Sequence, residues 1–209
     1  MPTKPSDHAV DCIKRARALH ALSASGQFQL TIADDLLRLS LVMGVAALDT
    51  LMHQLVWRAV TTHDELPKNL AQYEVPFSRL WDLAHQMKST ARAAGKRARP
   101  LVSVKTTLRE HLAGQTFQSY RRVGDAMAMA GINKGWSATA TELGIKAEKI
   151  EETLTEIVAH RNRIVHEGHH ERQDRPRAVK LAPVTATEIK KQLDWLEKLV
   201  VGIAKVAGA

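Results

Sequence analysis

The chain has 209 residues, a hydrophobic fraction of 44% and 30 Lys+Arg against 22 Asp+Glu, a formal charge of +8 with histidine neutral. These figures exclude a wholly disordered chain and allow one domain to bury a core without disulfides or a structural metal. The single cysteine, Cys12, excludes an intrachain disulfide framework and a multi-cysteine zinc site, while the positive balance suits an anionic partner, nucleic acid ahead of membrane.

In chain order, the opening Met-Pro-Thr-Lys-Pro-Ser-Asp-His lacks the apolar core of a secretory signal. Asp7–Leu22, rich in Ala, Arg and Leu, predicts a helix that stops before Ser23-Ala-Ser-Gly26. Residues 1–28 are read as an N-terminal helical extension and 29–209 as the main helical domain. The next helix has Thr31 as its expected N-cap and Asp34 and Asp35 in its first turn, where the helix dipole favours acids. Leu41, Val45, Leu48, Met52, Leu55 and Ala59 then recur at spacings of 4, 3, 4, 3 and 4, the seam of packed antiparallel helices. Running to about Thr62 at ~1.5 Å per residue, this helix would be about 45 Å long, the spine of a bundle, with Gly44 allowing a close helix approach. Its richest apolar stretch, Leu39–Leu48, is cut by Ser40 and Gly44 and bounded by Asp49, which reads as too short to span a bilayer. No membrane association is expected, and a cytoplasmic location is.

His63–Pro76 reads as a loop broken by Pro67 and Pro76, and Ser78–Ala91 as a helix. Lys88, Arg92, Lys96, Arg97, Arg99 and Lys105 follow with no acid until Glu110, and Pro100 breaks the run. Thr90–Pro100 is taken as a basic loop. Lys88, Arg92, Lys96, Arg97 and Arg99 are candidates for tracking an RNA backbone, with a solvated charged loop as the plainer alternative. Further helices are expected over Thr107–Leu112, Thr116–Met129 ending at Gly131, Trp136–Leu143 closed by Gly144, and Lys146–Glu167 stopped by Gly168. Ile150, Leu154, Ile157, Arg161 and Val165 form the expected buried stripe of the Lys146–Glu167 helix. Glu171–Pro183 reads as a charged loop, and Thr185-x-x-Glu188 as a capping box. Ile189, Leu193, Leu196, Val200 and Ile203 mark a last amphipathic helix. The fold class is all-α, a helical bundle.

Chemistry concentrates in His160-Arg-Asn-Arg-Ile-Val-His-Glu-Gly168. Arg161 stands on the expected apolar stripe, where a guanidinium must find an anion, a partner subunit or a cleft. Arginine holds phosphate oxygens with two parallel hydrogen bonds, and histidine moves protons near neutral pH, so Arg161 with His166 suits phosphodiester chemistry. Arg-x4-His occurs three times, at Arg15/His20, Arg58/His63 and Arg161/His166. The third is set apart by the amide Asn162 beside its arginine and by its place at the end of a strongly patterned helix.

The stretch Arg161-Asn-Arg-Ile-Val-His166-Glu-Gly168 resembles the signature of HEPN domains, and most of all the HEPN group associated with RiboL-PSP-type proteins. Val42–Val56, with its Ala47-Leu48-Asp49 core, is similar to that group's long early helix. Thr116-Phe-Gln118, Gly131-Ile132 and Trp136 also fit, so the likeness covers about residues 30 to 205. The resemblance implies a homodimeric helical bundle and, in many members, a metal-independent endoribonuclease, with no cofactor. It places Arg161 and His166 at the catalytic positions, Asn162 beside them and Asp49 in a supporting position, with two motif copies facing each other across the dimer axis. A toxin or defence role, with a cognate antitoxin as partner, is a further implication of the family. Some members are not nucleases, which leaves a non-catalytic interaction or antitoxin-like domain as the alternative.

Two other patterns compete, one within this region and one before it. His166-Glu-Gly-His-His170 spells HExxH, which binds zinc only on one continuous helix, and Gly168 inside it argues for a helix end. Trp136-Ser-Ala-Thr-Ala-Thr-Glu-Leu-Gly144-Ile145 resembles the first helix and turn of a DNA-binding helix-turn-helix. The following helix, however, carries Glu151 and Glu152 where a recognition helix presents donors to bases. Trp57, Trp81, Trp136 and Trp195 are expected as core or interface anchors.

Overall fold

A computed structural model describes residues 4–62, 65–76, 78–85, 100–171 and 180–209. The basic candidates Lys88, Arg92, Lys96, Arg97 and Arg99 lie outside the described residues. The described chain is an all-α bundle with one isolated antiparallel bridge, His170 to Leu181. Its helices are α1 (Pro5–Ser23), α2 (Leu30–Thr62), α3 (Lys68–Ala71), α4 (helical over 78–85), α5 (Pro100–Ala113), α6 (Tyr120–Met129), α7 (Gly135–Leu143), α8 (Ala147–Glu167) and α9 (Ala186–Val206).

The 33-residue α2 is the spine, touching α1, α5, α6, α8 and α9. Each residue of its predicted seam, Leu41 to Ala59, is buried, because the alternating spacing of 4 and 3 keeps one stripe facing the neighbours. The helix begins at Leu30, with the Gln29 carbonyl accepting from the Ala33 amide, so Thr31 lies inside the helix and is not its cap. By length and composition α2 is apolar enough to cross a membrane, contrary to the reading from Leu39–Leu48 alone: an 18-residue window reaches a mean hydropathy of 1.5. Here 56% of that window is buried inside the bundle, with Leu37 to Val60 supplying much of the core, while Leu30, Ile32 and Leu39 stay exposed.

Helix α9 packs on α2 through Gly44. A Cβ at that position would stand 2.5 Å from Leu193 Cδ2, so the absence of a side chain sets how closely the two helices approach. Thr185 caps α9, its hydroxyl accepting from the Glu188 amide at 3.2 Å, and Ile189, Leu193, Leu196, Val200 and Ile203 are buried as their spacing predicts. The predicted extension, α1, packs on both α2 and α9, and its Ala9, Cys12, Ile13 and Ala16 belong to the same core. Arg17 ties α1 to α9 through Asp194 at 2.8 Å and through Glu197.

The middle of the chain differs in detail from its pattern. A short helix, α3, interrupts the predicted loop between Pro67 and Pro76, and α5 begins at Pro100, a residue compatible with a first helical turn because its missing N–H has no intrahelical partner there. Residues 116–119 stay non-helical and α6 starts after Ser119, whose hydroxyl accepts from the Arg122 amide. Trp136 stacks on Tyr120 with ring centres 4.3 Å apart and donates to its carbonyl, whereas Trp81 is 58% exposed and packs beside His85.

Candidate active site

Helix α8 carries the motif, and its end is built by backbone rules. Gly168 adopts φ +60°, the left-handed conformation that glycine enters without penalty, and His169 follows at φ +54°. The His169 amide donates to the Arg163 carbonyl at 2.9 Å, closing the last turn. The His170 ring then folds over Gly168, where a Cβ would stand 2.8 Å from it, and its Nδ1 lies 2.8 Å from the Glu167 carbonyl. The chain reverses, Ala182 donating to the His169 carbonyl and Glu171 to that of Lys180. His166, His169 and His170 therefore do not share one helix, as a zincin motif requires. Among the described residues no group of three His, Cys, Asp or Glu side chains could hold a metal ion.

The buried face of α8 is Ile150, Leu154, Ile157 and then His160, with Ile164 partly buried. This corrects the predicted stripe beyond Ile157: Arg161 is only partly buried and Val165 is 46% exposed. Both a step of 3 and a step of 4 continue a helical face, and the tertiary partners select the step of 3. His160 enters a polar cluster that pattern reading missed. Its ring centre lies 5.0 Å from that of His169, and its Nδ1 is 3.1 Å from the Gln192 amide on α9.

Arg38 from α2 completes the cluster. It is 5% exposed, and its guanidinium donates to His169 Nδ1 at 3.1 Å, to Asp35 Oδ1 at 3.0 Å and to the Ala182 carbonyl at 2.9 Å. Because His169 Nδ1 accepts, the neutral ring carries its proton on Nε2. Burial, reinforced by His160, Arg38 and Arg163, pushes the His169 pKa from 6.5 down to about 4. Burial likewise lowers that of His160, against the opposing pull of Glu188. One signal pointed here: Arg38 lies three residues before Leu41, in register with the apolar seam of α2.

The motif residues occupy the outer side of the same helix end. Arg161 donates from Nη1 to Asn162 Oδ1 at 3.0 Å, while its Nε is buried and has no hydrogen-bond partner among the described residues. Asn162 and His166 are exposed. They are four residues apart and share one face of α8. Asn162 thus links the arginine to the face that carries the histidine.

Asp49 is half-buried on α2. Its Oδ1 accepts from the Phe117 amide at 2.6 Å, and His53 Nε2 lies 3.8 Å away, edge-on to the Phe117 ring. It pins the segment before α6 to the spine, and its hydrogen bond goes to that backbone rather than to Arg161, Asn162 or His166.

Comparison with protein-family models, with curated proteins and with solved structures gives no match to this chain.

Proposed function

We propose that the protein is a metal-independent endoribonuclease of the HEPN type, acting in the cytoplasm as a homodimer, with Arg161 and His166 as catalytic residues and Asn162 orienting Arg161. The observation that carries this reading is the guanidinium of Arg161. Asn162 Oδ1 accepts from its Nη1, and its buried Nε–H has no acceptor among the described residues. An unmade hydrogen bond of this kind costs about 1–3 kcal/mol, so a side-chain shift that brings the guanidinium onto a phosphate oxygen is favoured.

Helix geometry supports the dimer. Positions 161 and 166 are separated by ~140° around α8 and by ~7.5 Å along it. A single straight helix therefore does not aim both side chains at one phosphorus. Two copies meeting along this face would set Arg161 of each chain across from His166 of the other. In the shared cleft the ribose 2′-OH attacks the adjacent phosphorus, and the bond from phosphorus to the 5′-oxygen breaks. His166 moves a proton, from the nucleophile or to the leaving oxygen, while Arg161 stabilises charge building on the phosphorane oxygens. The products are a 2′,3′-cyclic phosphate and a 5′-OH. Lys88, Arg92, Lys96, Arg97 and Arg99 would track the RNA backbone. A toxin or defence role with a cognate antitoxin rests on the family resemblance.

The DNA-binding alternative is less well supported. Glu148, Glu151 and Glu152 are exposed on the first turns of α8, where a recognition helix would meet bases and phosphates. The test is incubation of the purified protein with total RNA in EDTA, beside Arg161→Ala and His166→Ala, followed by end-group analysis. Cyclic-phosphate ends are expected, with His166→Ala slower by roughly 10²- to 10⁴-fold. Full activity in His166→Ala would remove the assignment. RNA binding without cleavage would favour the non-catalytic interaction domain, and sequence-specific duplex binding the helix-turn-helix.

A further inference from the structure

We propose that the groove between α7, α8 and α9 binds a small apolar anion, an alkyl or aryl carboxylate. Neither Arg161 nor His166 lines this groove, and the proposal is independent of nuclease activity. Its volume is about 540 Å³, within the range of small-molecule sites, which are mostly apolar with a few polar groups fixing orientation. Leu143 and Ile145 at the α7–α8 corner, Ile157 on α8, and Trp195 and Leu199 on α9 supply hydrocarbon lining. Ile145 is an exposed large apolar side chain, and Trp195 is only partly buried.

The charge on the rim selects the ligand class. Lys191 and Lys198 lie four residues before and three after Trp195, so all three share one face of α9. Neighbouring lysines are neutralised: Lys190 by Asp194, Lys205 by Glu142 and Lys149 by Glu152. Lys191 and Lys198 have no carboxylate partner among the described residues. The lining carries the two ammonium groups of Lys191 and Lys198 and the paired one of Lys149, with Glu156 as its one carboxylate. An apolar floor beneath two unpaired cations matches a molecule with a hydrocarbon body and one negative end. The lining runs from Lys149 to Ile157 on α8 and from Lys191 to Leu199 on α9, about 12 Å on each helix. That length seats a medium alkyl chain and is short for a partner helix of several turns.

Decanoate, below its micelle concentration, is the probe, with 1-decanol as its uncharged counterpart. Calorimetry and tryptophan fluorescence should show saturable one-to-one binding of decanoate to the full chain, and weaker binding of decanol. The double variant Lys191→Gln/Lys198→Gln changes only exposed side chains and should fold normally by circular dichroism. It should weaken decanoate roughly three- to tenfold, the range expected of two exposed charge contacts, and less so at high salt. The proposal is overturned by absence of saturable decanoate binding to the wild-type protein, by equal affinity for decanol, or by unchanged affinity in the double variant.

Discussion

Two polar groups of similar composition sit at the end of α8. The inner one, Arg38 with His160 and His169, is buried, and its hydrogen bonds run to Asp35, Gln192 and the Ala182 carbonyl. Among the described residues the outer one, Arg161 with Asn162 and His166, has one internal hydrogen bond, an unpartnered Nε–H and an exposed imidazole. Both contain arginine and histidine, so residue type does not separate them. Satisfaction does: the inner set resembles a structural clamp, whose members complete one another, while the outer set leaves capacity for something that arrives.

This contrast is open to direct attack. The largest effect is expected from Arg38→Ala, which strands the His169 Nδ1 acceptor and the Ala182 carbonyl in the interior. It should cost about 3–5 kcal/mol in denaturant unfolding; a loss below 1 kcal/mol would mean that the clamp carries little stability.

Acid comes next. The folded state holds His169 near pKa 4, whereas an exposed imidazole titrates near 6.5. As pH falls below about 6.5 the unfolded chain takes up the proton first. The stabilisation is complete above that value, declines between 6.5 and 4, and levels off below. Its size is about 3 kcal/mol, with His160 adding in the same direction. His169→Asn, a residue that tolerates positive φ, should flatten this slope in urea titrations at stepped pH. An unaltered slope would place the acid sensitivity elsewhere.

Asp49→Ala follows, at about 1–2 kcal/mol, since it removes the acceptor of the Phe117 amide. Asp49→Asn keeps an oxygen there and should retain most of the stability and the RNA cleavage rate. A collapse of cleavage in a fully folded Asp49→Asn protein would move that carboxylate from pin to participant. The smallest effect belongs to Arg161→Ala. Deleting a guanidinium with an unmade hydrogen bond should leave the melting temperature unchanged or slightly raised, even where cleavage disappears. A clear drop in thermal stability would instead place Arg161 with the clamp.

Much of the bundle was legible along the chain because it rests on local repetition. Leu41 to Ala59 and Ile189 to Ile203 face inward as their spacing demands, Gly168 stops α8, and Thr185 caps α9. The errors arose where distant partners decide between local options. After Ile157 the sequence permits either His160 or Arg161 to turn inward, and the choice is made by Gln192, Glu188 and Arg38, the nearest of them 28 positions away in the chain. Asp49 shows the same reach of distant partners: its hydrogen bond comes from a backbone amide 68 residues away, which no local pattern displays. A glycine inside HExxH was enough to foresee that the histidines would diverge, because a left-handed cap is a local matter.

The docking of α1 has an outcome for the whole chain. Ala9, Cys12, Ile13 and Ala16 roof a strip of α2 and α9, and Arg17 latches it at Asp194 and Glu197. A shortened version starting at Leu30 would present that strip to water as a greasy seam, ready to clump with its own kind. Trimming this end to simplify preparation would trade a well-behaved solution for a sticky one.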